Sequence, residues 1–373
     1  MEFVDVPADV FEQAHFKNDF EPFTDYTIFI QYTLKPNEVA FFLIKQQMQD
    51  PDPTEDAPAA TATKAMNDSD QGTSLSIQGF SPEGQVIFKY ENQAQQVSQS
   101  FGVGLRYYKP HLEVQYTDES YEDIDEKFLD PIQKISKTKG EGAYVLRPEW
   151  ENGFNQYSYQ YSSLDTNVVY QQGKNLDQYT IVFNNATLQQ QGVVTVRFSP
   201  KYFQELIEFE VELNGIPLSK NGRGKDLTVN WQFFDGFDPR GVFWTDSNEL
   251  AMVERHLYTR DSYLYDESHS NISSNYYPVD SAIAMRDQNG SNLQVTIMND
   301  RAQGGSADLS QKASIELMQN RRTTEDDNKG VIEPLNETDR DGVGLKTTAK
   351  YYMQIFDFVS AKSKQRTQQI LID

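Results

Sequence analysis

The side chains best suited to proton transfer or metal ligation near neutral pH are four histidines, at positions 15, 111, 256 and 269, and none stands at a metal-ligand spacing from another. Cysteine is absent, which removes thiolate chemistry and disulfides. No Gly-x-Ser-x-Gly elbow, Walker loop or Gly-x-Gly-x-x-Gly fingerprint occurs. The sequence therefore predicts neither a metal site nor cofactor chemistry of its own. His256, within Glu254-Arg255-His256, reads as a solvated or structural imidazole, because a lone ring without partners does no acid–base work. Asp326-Asp327-Asn328-Lys329-Gly330 offers more: adjacent carboxylates can bind a cation, accept from sugar hydroxyls or orient Arg321 or Arg322. An Asx-type turn between strands is the commoner origin of such a string. Asn275-Tyr276-Tyr277-Pro278 likewise reads as a packed aromatic strand end before a sugar platform, and Gly304-Gly305-Ser306 as a tight turn before an anion nest.

The elements that must position these residues are strands. Tyr26, Ile28, Ile30 and Tyr32 alternate with Thr27, Phe29, Gln31 and Thr33, and Val39 to Ile44 follows a Lys-Pro-Asn turn. Gln85–Tyr90, Val193–Phe198, Leu293–Met298, Ala313–Met318 and Tyr351–Phe358 carry further strand signals. Ile207, Phe209, Val211 and Leu213 alternate with Glu208, Glu210 and Glu212, the pattern of a half-buried strand. The one helical candidate is Glu249–Tyr258, and no fixed-period repeat exists. The prediction is an all-β chain of antiparallel sheets packed face to face. Residues 1–46 read as a small β-sandwich piece, 47–75 as an acidic low-complexity linker or loop, and 76–373 as a large β-sandwich domain.

Over 373 residues, 56 Asp+Glu against 33 Lys+Arg give a formal charge of -23, which repels phosphate backbones and anionic lipid and excludes nucleic acid as a partner. The 23 Phe, 21 Tyr and 3 Trp supply the apolar area that a disordered acidic chain lacks. No apolar run approaches the ~20 residues of a membrane span. The opening Met1-Glu2-Phe3-Val4-Asp5 has no signal-peptide character, which alone implies a cytoplasmic product. Candidate glycosylation sequons at Asn67, Asn185, Asn271, Asn289 and Asn336 point instead to the secretory route, and an internal piece of a longer precursor reconciles the two.

Taken in order, five strings change the reading: Phe243-Trp244-Thr245-Asp246-Ser247-Asn248; Asn275-Tyr276-Tyr277-Pro278-Val279; Asn299-Asp300-Arg301 through Gly304-Gly305-Ser306; Glu316-Leu317-Met318-Gln319-Asn320-Arg321-Arg322 through Asp326-Asp327-Asn328-Lys329-Gly330-Val331; and Glu333-Pro334-Leu335. Together they resemble the C-terminal half of family 38 glycoside hydrolases, the α-mannosidases, and Glu-Pro-Leu is similar to the lysosomal branch. Upstream, Gly142-Ala143-Tyr144 and Asn214-Gly215-Ile216-Pro217-Leu218 resemble two more of the family's segments. The likeness runs from about Ser98 to Phe358, with a fainter one from Asp19 to Lys45.

The resemblance implies a large super-sandwich, preceded by part of a small one, that packs against a catalytic domain and completes its mannose pocket. It implies that nucleophile, acid/base carboxylate and zinc ligands belong to an α/β-barrel that this chain does not include, so the chain alone is expected to be inactive, with zinc a cofactor of the complete enzyme only. By position, Tyr144 matches the tyrosine that hydrogen-bonds the sugar, and Lys329 stands where the family usually has Arg. Asp326, Asp327, Arg321 and Arg322 become a supporting loop. Neither Asp serves as a retaining nucleophile, since retention needs carboxyls about 5–5.5 Å apart across the scissile bond and adjacent residues on a turn diverge. The implied partners are the remaining portions of the same enzyme and mannose-containing glycans, in a lysosomal or secreted setting. The alternative is a noncatalytic carbohydrate-binding or scaffold sandwich; an unrelated β-sandwich adhesin fits the acidic, Asn/Gln-rich composition alone.

Overall fold

The computed structural model describes residues 8–16, 22–30, 72–108, parts of 142–160, 166–184, 190–200, 205–218, 224–248, 251–259, 272–309, 312–324 and 333–372, apart from 83, 174, 217 and 341. In chain order the first strands are β1 (Ala8–Phe16), β2 (Pro22–Ile30), β3 (Thr73–Phe80), β4 (Val86–Asn92), β5 (Val97–Tyr108), β6 (Trp150–Glu151), β7 (Asn155–Gln156) and β8 (Ser158–Gln160). They are followed by β9 (Thr166–Gln172), β10 (Asp177–Asn184), β11 (Gln190–Phe198), β12 (Ile207–Leu213), β13 (Lys225–Phe233), β14 (Val242–Ser247) and β15 (Ala251–His256). The last are β16 (Tyr277–Val279), β17 (Ala282–Arg286), β18 (Leu293–Asn299), β19 (Gln303–Ala307), β20 (Ser314–Arg322), β21 (Thr347–Asp357) and α1 (Phe358–Ile372).

Two antiparallel sheets carry the fold, one of nine strands in the order β15-β14-β17-β18-β21-β12-β11-β10-β9 and one of eight built on β16-β19-β20-β13-β5-β4-β3, with β8 paired to β5. The pairs β1–β2 and β6–β7 form separate two-stranded sheets. This is the predicted all-β sandwich. Val39–Ile44 and residues 47–71 of the expected 47–75 linker lie outside the described residues, while its last residues, Thr73–Leu75, open strand β3 because pairing with Asn92–Tyr90 buries Thr73 and Leu75.

The core lies between the two large sheets, and its aromatic rings span them. Phe88 of the smaller sheet meets Tyr179 of the larger edge-on at 5.2 Å, Phe101 meets Phe209 at 6.1 Å, and Trp231 meets Tyr351 at 5.1 Å. The half-buried strand predicted at 207–213 is observed with those bounds: its apolar residues are buried, while Arg197 pairs with Glu208 at 2.8 Å and Glu210 at 2.7 Å on the outer face.

Two local expectations are corrected. The helical candidate at 249–258 contains strand β15, because pairing with β14 from Val242↔His256 to Ser247↔Ala251 satisfies a backbone whose weak amphipathic pattern did not require a helix. Gly304-Gly305 is strand rather than tight turn: Gly305 pairs with both Tyr277 and Leu317, and a Cβ there would lie 2.7 Å from Leu317 Cδ2 and 2.8 Å from Val279 Cγ2. Glycine lets three strands close over the core at this point.

The helix α1 was not anticipated. Asp357 starts it, its Oδ1 accepting from the N–H groups of Val359 and Ser360 at 3.1 Å. Its sheet-facing residues are Ala361, Gln365 and Gln369, so it lacks the apolar stripe by which helices are read. Its presence leaves every residue of β18 buried, on both faces.

Candidate functional site

Strands β5, β13 and β20 are neighbours in the smaller sheet. Their alternation sends Leu105, Leu227, Val229 and Leu317 into the core and sends Arg106, Tyr108, Asp226 and Glu316 out the other side. Those polar residues are nonetheless buried, and two clusters form there.

In the first cluster Glu316 accepts from Arg106 Nη1 at 2.8 Å, from the Tyr108 hydroxyl at 2.7 and 2.9 Å, and from the Tyr276 hydroxyl. Arg106 and Glu316 side chains are 6% and 2% exposed. Burial would lower the Arg106 pKa, but the adjoining Tyr108 and Glu316 hold it above its ordinary value. Burial, reinforced by Glu316, pushes the Tyr108 and Tyr276 phenols up, so both remain neutral donors. With both carboxylate oxygens engaged and Arg106, Tyr108 and Glu316 buried, this cluster braces the sheet. The Tyr276 segment thus takes its packed reading.

The second cluster joins the two segments assigned to the sugar pocket by resemblance. Arg321, near the end of β20, donates from Nε to Asp226 Oδ1 at 2.9 Å, from Nη1 to the Ala143 carbonyl at 3.2 Å and from Nη2 to the Gly142 carbonyl at 3.0 Å. Asp226 is fully buried, and its Oδ2 has no hydrogen-bond partner among the described residues. The planar fork of Arg321 therefore clamps the Gly142-Ala143 backbone onto the sheet, as Lys could not. Next in the chain, Tyr144 is 65% exposed.

Arg322 anchors the opposite side of the same strand end, donating to Asn336 Oδ1 at 2.8 Å and to the Ile216 carbonyl at 2.6 Å. Thr323 and Leu335 exchange hydrogen bonds of 3.0 and 3.2 Å, which close the base of the intervening loop. That loop carries Asp326, Asp327 and Lys329, which lie outside the described residues. The described partners of Arg321 and Arg322 are Asp226, Asn336 and main-chain carbonyls. Asp226 was missed in the sequence; its signal was a lone acid in Lys225–Phe233, a strand otherwise rich in core residues.

Of the remaining candidates, His256 is half exposed and its Nε2 lies 2.8 Å from Glu254 Oε1. Asn289 and Asn336 are exposed, whereas Asn67, Asn185 and Asn271 lie outside the described residues. No group of three or more His, Cys, Asp or Glu able to hold a metal exists among the described residues.

Fold and site together define the class: an antiparallel β-sandwich domain that seals one charge network inside and holds an aromatic residue at its surface beside a pinned loop. The chain belongs to the glycosyl hydrolases family 38 C-terminal domain family, whose model matches residues 106–329. Lysosomal alpha-mannosidase of Bos taurus is 34% identical over 173 residues, 46% of this chain and 16% of that protein. The Homo sapiens lysosomal alpha-mannosidase is 35% identical over 134 residues, 36% and 12% of the two chains, and a probable alpha-mannosidase of Arabidopsis thaliana is 32% identical over 167 residues, 44% and 15%. The chain thus spans about one sixth or less of the curated relatives it matches. Among solved structures, an alpha-N-acetylgalactosaminidase of Bifidobacterium bifidum aligns with 79% of this chain and 37% of its own at TM-score 0.36 and 10% identity, too low to bear on the fold.

Proposed function

We propose that the chain is the C-terminal β portion of a lysosomal-type α-mannosidase that removes terminal α-linked mannose from glycans. It packs against a catalytic portion, which carries the nucleophile, the acid/base carboxylate and the zinc ligands, and completes the sugar pocket with Tyr144 and Lys329. The observation that carries this reading is the Arg321 clamp, which sets the Gly142-Ala143-Tyr144 segment beside the strand that leads into the double-Asp loop. Two pocket segments identified only by resemblance, separated by more than 170 residues, thereby become neighbours. A phenol suits the role, because its ring excludes water while its hydroxyl both donates to and accepts from a sugar. The setting proposed is lysosomal or secreted.

The test is Tyr144→Phe in the enzyme containing both portions. Loss of one neutral hydrogen bond, about 0.5–1.5 kcal/mol, lowers kcat/KM on an aryl α-mannoside roughly 2- to 10-fold and leaves Tm unchanged. Residues 1–373 alone turn over none of it, because two positioned carboxylates and the metal supply the transition-state stabilisation. Turnover by the isolated chain, or a Tm loss without a kinetic one, overturns the assignment.

A further inference from the structure

The outer face of the larger sheet holds a feature that the family reading does not use. Between α1 and strands β14, β17 and β18 lies a cleft of about 470 Å³, bordered by Trp244, Asp246, Arg286, Gln294, Gln365 and Gln369. A cleft of this size takes a small organic molecule. The Arg286 guanidinium carbon sits over the Trp244 ring, 4.4 Å from its centroid, and 5.8 Å from that of Phe358, and its Nε donates to Gln294 Oε1 at 2.8 Å. None of the described residues supplies a carboxylate to this guanidinium. The bordering carboxylate, Asp246, is otherwise engaged, accepting from the N–H groups of Asp280, Ser281 and Ala282 and the Ser281 hydroxyl at 2.8–3.2 Å.

The Trp244 contact and the Nε bond restrain the guanidinium, and its Nη atoms, which have no partner among the described residues, offer a fork for two oxygens. The amides around it have capacity to spare. Gln365 is 6% exposed, and its Nε2 donates only to the weak thioether acceptor Met252 Sδ, at 3.3 Å. Gln369 is 7% exposed; its Nε2 is used by Ser281 Oγ at 2.8 Å, and its Oε1 has no donor among the described residues. A donor and an acceptor, both on buried side chains, thus stand beside an anion fork. This is the chemistry that recognises hydroxyl groups on an acid.

We propose that this cleft binds a small polyhydroxylated carboxylate of the uronic-acid class, with the carboxylate on Arg286 and hydroxyls on Gln365 and Gln369. The site is separate from the Tyr144 edge and does not depend on the mannosidase reading.

The test is saturation-transfer NMR on the full chain with glucuronate as probe, against glucose, which lacks the carboxylate, and acetate, which lacks the hydroxyls. Glucuronate is expected to bind at least about tenfold more tightly than either, the range of one charge-assisted hydrogen-bonded pair. Arg286→Gln reduces glucuronate binding by a similar factor. Ala251→Phe, at an exposed residue bordering the cleft, blocks it sterically with an unchanged melting temperature. The proposal is overturned if glucose binds as tightly as glucuronate, if the stable Ala251→Phe chain binds like the parent, or if no transfer to glucuronate occurs at about 10 mM, ample for a guanidinium-anchored ligand.

Discussion

Two ion pairs built on the same three strands are used in opposite ways. Arg106–Glu316 lies inside, surrounded by tyrosine hydroxyls, with both partners almost free of solvent. Arg321–Asp226 lies toward the strand ends, where the acid is fully buried but the guanidinium reaches out to two main-chain carbonyls of another segment. The first pair spends its hydrogen-bonding capacity internally and fixes strand against strand. The second directs part of that capacity at a chain segment that no strand ladder holds. Burial of one partner alone therefore says little about role; what distinguishes the pairs is where the remaining donors point.

Glu316→Ala should have the largest effect, because it leaves the Arg106 charge buried without a partner. A loss of about 3–5 kcal/mol is expected in urea unfolding, and a loss under about 1 kcal/mol would contradict the sealed picture. Arg321→Lys keeps the charge near Asp226 but not the fork, so the Gly142-Ala143 backbone is freed while the sheet stays intact. Global stability should change by about 1 kcal/mol or less, with trypsin cleavage after Arg147 accelerated several-fold. Equal cleavage rates would show that Arg321 does not hold this segment.

Acid should reveal a third, weaker set of contacts. Burial alone would raise the Asp287 carboxyl, but hydrogen bonds from Ser291, Asp238 and Asn289 more than offset this and hold it below its ordinary value. A depressed folded-state pKa contributes stability that is fully present above the unfolded value of about 3.9 and is lost as pH falls through the folded value. Asp287→Asn should therefore lower stability at pH 6 and flatten its decline below about pH 4. A decline as steep as that of the parent chain would assign the acid sensitivity to other carboxylates. The smallest effect belongs to the exposed pair Lys89–Asp235, 2.8 Å apart. In a double-mutant cycle with Lys89→Met and Asp235→Asn its coupling should be about 0–1 kcal/mol and should fall further in 1 M salt.

The strands were legible where one face is wet. At 207–213 the alternation of apolar residues with glutamates is a direct image of a sheet with one side in the core. Legibility failed where both faces are covered or the usual apolar signal is replaced. Helix α1 seats glutamines on the sheet, so its sequence shows a cap at Asp357 and no apolar stripe. Gly304-Gly305 resembles a turn to any local reading, and only the closeness of Leu317 and Val279 makes glycine the residue that fits a strand there.

By itself, the sequence determined that the chain is all-β, acidic and without thiols, and the ordered strings from Phe243 to Leu335 determined its family. These follow from composition, from a two-residue period that any strand half in water must show, and from short runs readable without knowing what they touch. Tertiary structure decided which charges meet. Arg106 and Glu316 are 210 residues apart, and Arg321 and Gly142 are 179 apart. Such pairs depend on strand order and register, which are set by closing the whole sandwich core; nothing in the local pattern of either partner encodes the other.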